Sequence, residues 1–384
     1  MEQAVKKIQM VDLKTQYNRL KPEIDEAIKA VLDHAIFING PEVKSFASDL
    51  SQYLGAKHVI PCANGTDALQ IAMMALDLRP GDEVITADFT YVATAEVIGL
   101  LQLTPVLVDV YPGTFDIDVD AIEKAITPRT KAIVPVHLFG QCADMERIMT
   151  IAKKHNLHVI EDVAQAIGAD YKFKDGRSGK AGTIGTIGCT SFFPSKNLGC
   201  YGDGGAIFTN DENLARRIRM IANHGQSVQY VHDEIGCNSR LDSIQAAVLG
   251  VKLKYLDAFA KARNRAADLY DKAFSGNKFL RIPERVSYSN HVFHQYTLVL
   301  NRIDREQLKI FLEAKGIPAM IYYPIPLHSQ KAFSSDRYKP GDFPVTESLC
   351  ASVISLPMHP ELEGSTVALI SSAVLEGVEK FKLK

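Results

Sequence analysis

His58-Val-Ile-Pro-Cys-Ala-Asn-Gly-Thr-Asp67 is a short apolar run that breaks at Asn64-Gly65 into a helical pattern. A run of that length, so bounded, reads as a strand over 58–62 feeding a helix over 66–78. The same alternation continues to about residue 223. Strands are expected over 83–87, 105–110, 132–137, 158–161, 189–193 and 205–209, with helices over 145–155 and 212–222. These strands are nearly continuous Val, Ile and Leu, so both their faces must be covered. They predict an α/β fold with a mostly parallel central sheet flanked by helices. Arg79-Pro-Gly-Asp82, Tyr111-Pro-Gly113 and Asp175-Gly176 supply turns.

After Arg240 the character changes. Residues 241–275 read as one long, weakly broken helix with apolar side chains at 244, 248, 251 and 255. A strand over 296–300, a helix over 305–315, a strand over 319–323 and a last helix over 367–381 suggest a smaller C-terminal α+β domain. The expected division is a large domain with an N-terminal arm over 1–250 and a small domain over 251–384. The polar, Pro- and Gly-containing stretch 329–343 reads as a surface loop.

The chain has 384 residues, 46% of them hydrophobic, and a formal net charge of −2. That suffices for a sizeable core and argues against nucleic acid as a partner. Glu2, Lys6, Lys7, Asp12 and Lys14 interrupt the start, so no secretory signal is expected. The apolar stretch 90–108 contains Glu96 and Pro105 and reads as helix then strand, not as a membrane span. Six cysteines are scattered without a Cys-x-x-Cys pair, as expected of reduced thiols in a cytoplasmic protein.

Chemistry-bearing residues gather after the strands. Gly65 and Thr66 at a helix start make an anion site, unless Asn64 or Thr66 merely caps the helix. Asp162, followed by Val-Ala-Gln165, ends the strand from 158. A carboxylate there either keeps a heterocyclic nitrogen protonated or is an ordinary loop acid. Tyr91 in Asp88-Phe-Thr-Tyr91 either covers a flat ligand or packs in the core. Ser191 can join a phosphate cup. Lys196, in Ser191-Phe-Phe-Pro-Ser-Lys-Asn-Leu198, sits among apolar and small residues. Burial lowers a lysine pKa, which suits a Schiff-base amine. Asn238 either acts in the site or caps the long helix, and Arg240 either binds an anion or makes a surface ion pair.

Other classes lack their signatures. No His-Glu-x-x-His occurs, and His155/His158 and His291/His294 lack acidic partners at ligand spacing, so no metal is expected. His137 and His328 line a pocket or are satisfied core or surface histidines. No Gly-x-Gly-x-x-Gly opens the first strand–helix unit, and neither a Gly-x-Ser-x-Gly elbow nor a Walker A lysine is present. In combination, an anion cup, an aromatic cover, a carboxylate and an amine, each after a strand, are the parts that pyridoxal phosphate needs.

Asn-Gly-Thr-Asp-Ala-Leu (64–69), Asp-Phe-Thr-Tyr-Val-Ala-Thr (88–94), Pro-Val-His-Leu-Phe-Gly (135–140), Glu-Asp-Val-Ala-Gln-Ala (161–166), Ser-Phe-Phe-Pro-Ser-Lys-Asn-Leu-Gly (191–199), Gly-Asp-Gly-Gly-Ala (202–206) and Gly-x-Asn-x-Arg-Leu-Asp (236–242) resemble the DegT/DnrJ/EryC1/StrS aminotransferases. These are fold type I, pyridoxal-phosphate sugar aminotransferases. The resemblance implies that Lys196 carries the cofactor's aldehyde, Asp162 pairs with its ring nitrogen, Gln165 faces its phenolic oxygen and Tyr91 stacks on the ring. It implies that Gly65, Thr66 and Ser191 hold the phosphate. Asn238 would reach that phosphate from a neighbouring subunit, giving a homodimer with shared sites, and Arg240 would face the nucleotide-sugar beside Tyr322 and His328. The dehydratase relatives carry histidine where this chain has Lys196.

The implied reaction moves an amino group from L-glutamate to a nucleotide-linked keto-sugar for surface polysaccharide or lipopolysaccharide O-antigen. Arg240 and Tyr322-Tyr-Pro-Ile-Pro-Leu-His328 resemble enzymes that aminate C3 of 3-oxo-sugars, including the UDP-2-acetamido-3-oxo-glucuronate type. Amination at C4 of a 4-keto-6-deoxy sugar, of the perosamine type, is the alternative. A non-catalytic regulator on the same fold is a third reading, against which Lys196 and Asp162 both argue.

Overall fold

The computed structural model describes residues 8–383. After α1 (Leu13–His34) and α2 (Pro41–Leu54), strands and helices alternate: β1 (His58–Cys62), α3 (Gly65–Ala75), β2 (Glu83–Ala87), α4 (Ala93–Leu100), β3 (Thr104–Val108), α5 (Val119–Ala125), β4 (Thr130–Val134), α6 (Met145–His155) and β5 (His158–Asp162). A hairpin of β6 (Asp170–Lys172) and β7 (Ser178–Lys180) leads to β8 (Ile187–Ser191), β9 (Gly205–Thr209) and α7 (Glu212–Ala222). A second hairpin, β10 (Gln226–Val228) and β11 (Val231–His232), precedes α8 (Ser243–Leu253) and α9 (Leu256–Phe274). Then come β12 (Leu280–Arg281), β13 (Tyr296–Leu300), α10 (Arg305–Ala314), α11 (Pro344–Ser352), β14 (Val353–Leu356) and α12 (Gly364–Lys380).

Aspartates start many of the helices. Asp12, Asp118, Asp144, Asp211 and Asp304 each accept a main-chain N–H of the first turn through their carboxylates. The seven-stranded sheet has the order β1-β9-β8-β5-β4-β2-β3. Every pairing is parallel except the two that β9 makes. Alternate side chains enter two separate cores. Val59, Ile85, Ile133, Val159 and Phe208 face one, and Ile60, Val84, Ala132, Ile160 and Ile207 face the other. This is why the strands are apolar without alternation. Six strands run the same way, so Cys62, Ala87, Val108, Val134, Asp162 and Ser191 all end on one edge of the sheet.

A separate core, including Tyr270, Leu298, Leu308, Ile354 and Val374, surrounds the three-stranded antiparallel sheet β12-β13-β14. The C-terminal region does not keep to itself, because Leu349, Cys350 and Val353 pack in the core of the large sheet.

Several expectations need correction. Strands expected over 105–110, 132–137 and 189–193 begin and end earlier. Pro135 has no N–H for the ladder, and the chain leaves β4 there toward the site. The helix expected over 241–275 is two helices, α8 and α9. The break at Lys254–Tyr255 turns Tyr255 and Phe259 onto Leu20 and Ile24 of α1. No strand forms over 319–323. Met320 makes a single bridge to Ser355, and Tyr322 and Tyr323 turn instead onto the core of the large sheet. Residues 329–343 form a mostly exposed surface segment, as expected, but one anchored on the outer strands. Arg337 pairs with buried Glu83 at 2.7 Å, Tyr338 Oη accepts the Leu107 N–H at 2.7 Å, and Phe343 is buried. Among the described residues, no helix is long and apolar enough to cross a membrane, and all six cysteines are free thiols.

Candidate active site

Asp162 is placed by its main chain. Its N–H donates to Pro135 O at 2.9 Å and its carbonyl accepts the His137 N–H at 3.0 Å. The carboxylate is buried and doubly held. Oδ2 accepts the Thr94 hydroxyl at 2.8 Å, and Oδ1 accepts the Ala164 N–H at 3.1 Å. Lys196 follows β8 through a turn closed by its N–H to Phe193 O at 2.8 Å. Burial lowers its amine from 10.5 to about 8, and the nearby Asp162 carboxylate only partly opposes this. Such an amine gives up its proton more readily than an exposed lysine, as suits a nucleophile.

An anion cradle lies beside them. Asn64 caps α3, its side chain accepting the Asp67 N–H at 2.8 Å, as the simpler reading of this motif holds. Asn64 O accepts the Ala68 N–H. The N–H groups of Gly65 and Thr66 have no hydrogen-bond partner among the described residues, and they stand at the positive end of α3. A Cβ on Gly65 would lie 2.6 Å from Ser191 Cβ, and one on Gly205 only 2.4 Å from Asn64 O. Both glycines are therefore needed for loop, strand and serine to converge. Gly65→Ala is expected to cost about 1–3 kcal/mol through overpacking. A lower urea midpoint of the cofactor-free protein checks this, and an unchanged midpoint contradicts it.

Aromatic rings and an amide form the other wall. The Tyr91 ring is 57% exposed and stands 6.2 Å from that of Tyr323, which lies 6.0 Å from Phe89. Gln165 Oε1 accepts the Phe139 N–H at 2.8 Å, and Gln165 Nε2 donates to the Tyr323 hydroxyl at 3.0 Å. Phe139 holds a left-handed backbone, φ 57°, to make that contact.

The expected site residues do not all meet here. Lys196, Asp162, Gln165, Tyr91, Gly65, Thr66 and Ser191 line one edge of the sheet. Asn238 is exposed and Arg240 half-buried, and neither side chain makes a hydrogen bond or ion pair among the described residues. Of the tyrosine pair, Tyr323 and not Tyr322 bonds to Gln165. The His328 imidazole is committed to Asp88, Nδ1 to Oδ2 at 2.6 Å, and its main-chain N–H donates to Asp88 Oδ1 at 2.8 Å. His137 is a satisfied core histidine. Its Nδ1 accepts the Ala143 N–H at 3.1 Å, so Nε2–H donates to Glu161 at 2.9 Å. Sequence reasoning gave Thr94 and Phe139 no role, although each lies within a motif it singled out. A hydroxyl one turn after Tyr91 was the available signal for Thr94. Nothing local marked the Phe139 N–H.

The profile of the DegT/DnrJ/EryC1/StrS aminotransferase family matches residues 18–375. The chain belongs to this family. It is 47% identical to the UDP-2-acetamido-2-deoxy-3-oxo-D-glucuronate aminotransferase of Pseudomonas aeruginosa, over 96% of this chain and 99% of that protein. It is 46% identical to a pleiotropic regulatory protein of Geobacillus stearothermophilus, over 97% and 99% respectively. It superposes on the crystal structure of NtdA from Bacillus subtilis with bound cofactor PMP. There the TM-score is 0.90 and the identity 32%, covering 98% of this chain and 86% of that one.

The residues of this family member suit a phosphorylated, aldehyde-bearing pyridine. Two unspent N–H groups at a helix start and the Ser191 hydroxyl suit the phosphate. A low-pKa amine suits the aldehyde, a buried carboxylate the ring nitrogen, and an exposed aromatic face the ring itself.

Proposed function

We propose that the protein is a pyridoxal-phosphate-dependent aminotransferase that moves the amino group of L-glutamate to C3 of a nucleotide-linked 3-oxo-sugar. Surface polysaccharide is the proposed destination and the reducing cytoplasm the compartment. The observation that carries the reading is the meeting of Lys196, with its lowered pKa, and the doubly held Asp162 at one sheet edge. In this reading Gly65, Thr66 and Ser191 hold the phosphate and Tyr91 covers the ring. Bound there, the cofactor supplies an electron sink for breaking the amino acid's Cα–H bond. Lys196 Nζ is the group that carries a proton to and from the reacting carbons. Asp162 keeps the ring nitrogen charged, and Thr94 and the Ala164 N–H hold that carboxylate in position. Glutamate leaves as 2-oxoglutarate before the sugar enters, so the kinetics are two-stage.

Likeness to a 3-oxo-glucuronate enzyme across nearly the whole chain supports C3. Arg240 makes no ion pair among the described residues, so its guanidinium is available for a uronate carboxylate or a diphosphate. Two residues on, Asp242 forms a main-chain bridge to exposed Ile38. A homodimer, with Asn238 and Arg240 serving the neighbouring site, accounts for their side chains having no partner among the described residues, although Ser239 between them accepts the Ala63 N–H at 3.0 Å. Likeness to a regulatory protein supports a second reading, a regulator without turnover.

Incubation with glutamate and a panel of UDP-linked 3-oxo and dTDP- or GDP-linked 4-keto sugars separates these. The 3-amino product, with equimolar 2-oxoglutarate, is expected from a UDP-linked 3-oxo-sugar. A 4-amino product overturns the C3 assignment. Bound cofactor that never releases 2-oxoglutarate favours the regulator.

A further inference from the structure

Gln165 is gripped from two sides by groups distant in the chain. The Phe139 N–H points at its Oε1, 2.8 Å away, and the Tyr323 hydroxyl accepts from its Nε2 at 3.0 Å. An amide has two ends of the same shape and opposite hydrogen-bonding sense. Turning this one over would set Nε2 against the Phe139 N–H, donor to donor. The Phe139 position cannot relax to suit, because Gly140 is wedged against the next segment, where a Cβ would meet Phe293 N at 2.8 Å and His294 N at 2.9 Å. With Oε1 fixed by Phe139 and one N–H taken by Tyr323, a single amide N–H remains, and its direction is set.

We propose that Tyr323 is a positioning residue that acts through Gln165, holding the amide so that its remaining N–H is aimed at the cofactor's ring oxygen. This rests on the cofactor reading given above. The tyrosine is itself well placed for the task. Its ring is wedged edge-on to Phe89 and tilted against Tyr91. Burial, reinforced by the neighbouring Asp162 carboxylate, raises its hydroxyl, so it stays a neutral phenol across the working range. Tyr322 beside it makes no such bond, which separates the two halves of an otherwise repetitive pair.

A hydrogen bond donated to an ionised oxygen favours the ionised form. Loss of the aim should therefore raise the pH midpoint of the bound cofactor's visible absorbance. The titratable groups facing this region are Asp162, Lys196, Tyr91, Tyr322 and, through its interaction with Lys196, buried His294. Tyr323→Phe removes one oxygen and leaves all of them in place.

The experiment titrates the cofactor-loaded wild type, Tyr323→Phe, Gln165→Ala and the double variant spectrophotometrically. Tyr323→Phe is expected to raise the midpoint by about half a unit, roughly threefold in proton affinity. Gln165→Ala should raise it at least as far, and Tyr323→Phe should add nothing in the Gln165→Ala background. A Tyr323→Phe midpoint equal to wild type overturns the proposal. So does a shift that persists without Gln165, and so does a Tyr323→Phe protein that cannot retain cofactor. A wild type showing no cofactor band overturns the underlying reading instead.

Discussion

Lys196→Ala is expected to lower turnover about ten-thousandfold or more, and with it the visible absorbance of the bound cofactor, because in the proposed function one amine both holds the aldehyde and moves the proton. Less obviously, losing this lysine should strengthen the empty fold. Burial brings the amine from 10.5 down to about 8, so the folded chain carries an ammonium that it disfavours. Below pH 8 folded and unfolded chains are both protonated, and the folded one bears the whole penalty. Between about 8 and 10.5 the folded chain sheds its proton first, and the penalty fades. Lys196→Met, which keeps the volume, should therefore stabilise the cofactor-free protein by about 1–3 kcal/mol near neutrality, with a gain that shrinks as pH rises toward the unfolded value. Urea melts at several pH values measure this. A Met variant no more stable than wild type, or one whose advantage grows with pH, contradicts the electrostatic account.

That trade has a structural counterpart in how the site was legible. Strands β1, β2, β5 and β9 could be read almost to the residue, because apolar runs buried on both faces have no competing explanation. The differences fall where contacts between distant segments decide the path of the chain. Residues 319–323 look like a strand, but only Met320 bridges to Ser355, and Tyr322 and Tyr323 turn onto the core of the large sheet, where Tyr323 bonds to Gln165. The polarity of residues 329–343 marks the surface loop but not its anchoring, since Arg337 and Tyr338 hold it to Glu83 and Leu107, partners more than two hundred residues away. Lys196, Asp162, Gly65 and Ser191 were findable because each ends or follows a strand. Asn238 and Arg240 were findable only through family likeness, since nothing in the chain's own contacts ties their side chains to the site. Thr94 illustrates the intermediate case: its type and place were visible, but its bond to Asp162 depends on the start of α4 reaching past β4 to the end of β5.

Asp162→Asn should cut the glutamate half-reaction by about a thousandfold while the protein still folds. The geometry explains both halves of that statement. Asparagine is the same shape, and its Oδ1 can still accept the Ala164 N–H now received at 3.1 Å. Its Nδ2 faces Thr94 Oγ1, at present a donor at 2.8 Å, and that hydroxyl need only rotate to accept. The main-chain bonds to Pro135 and His137 are untouched. The cost to the fold is then about 1 kcal/mol, the price of one weakened hydrogen bond. What is lost is the negative charge, which in the proposed function keeps the ring nitrogen protonated while charge develops during Cα–H cleavage. Thr94→Val serves as the graded companion. It leaves the charge but frees one carboxylate oxygen, so it should slow the same step by about tenfold. Stopped-flow measurement of the glutamate half-reaction, with melts of each variant alongside, distinguishes charge from positioning. Equal rates in wild type and Asp162→Asn would remove Asp162 from the chemistry, and an effect of Thr94→Val as large as that of Asp162→Asn would show that the orientation of the carboxylate, more than its charge, governs the rate.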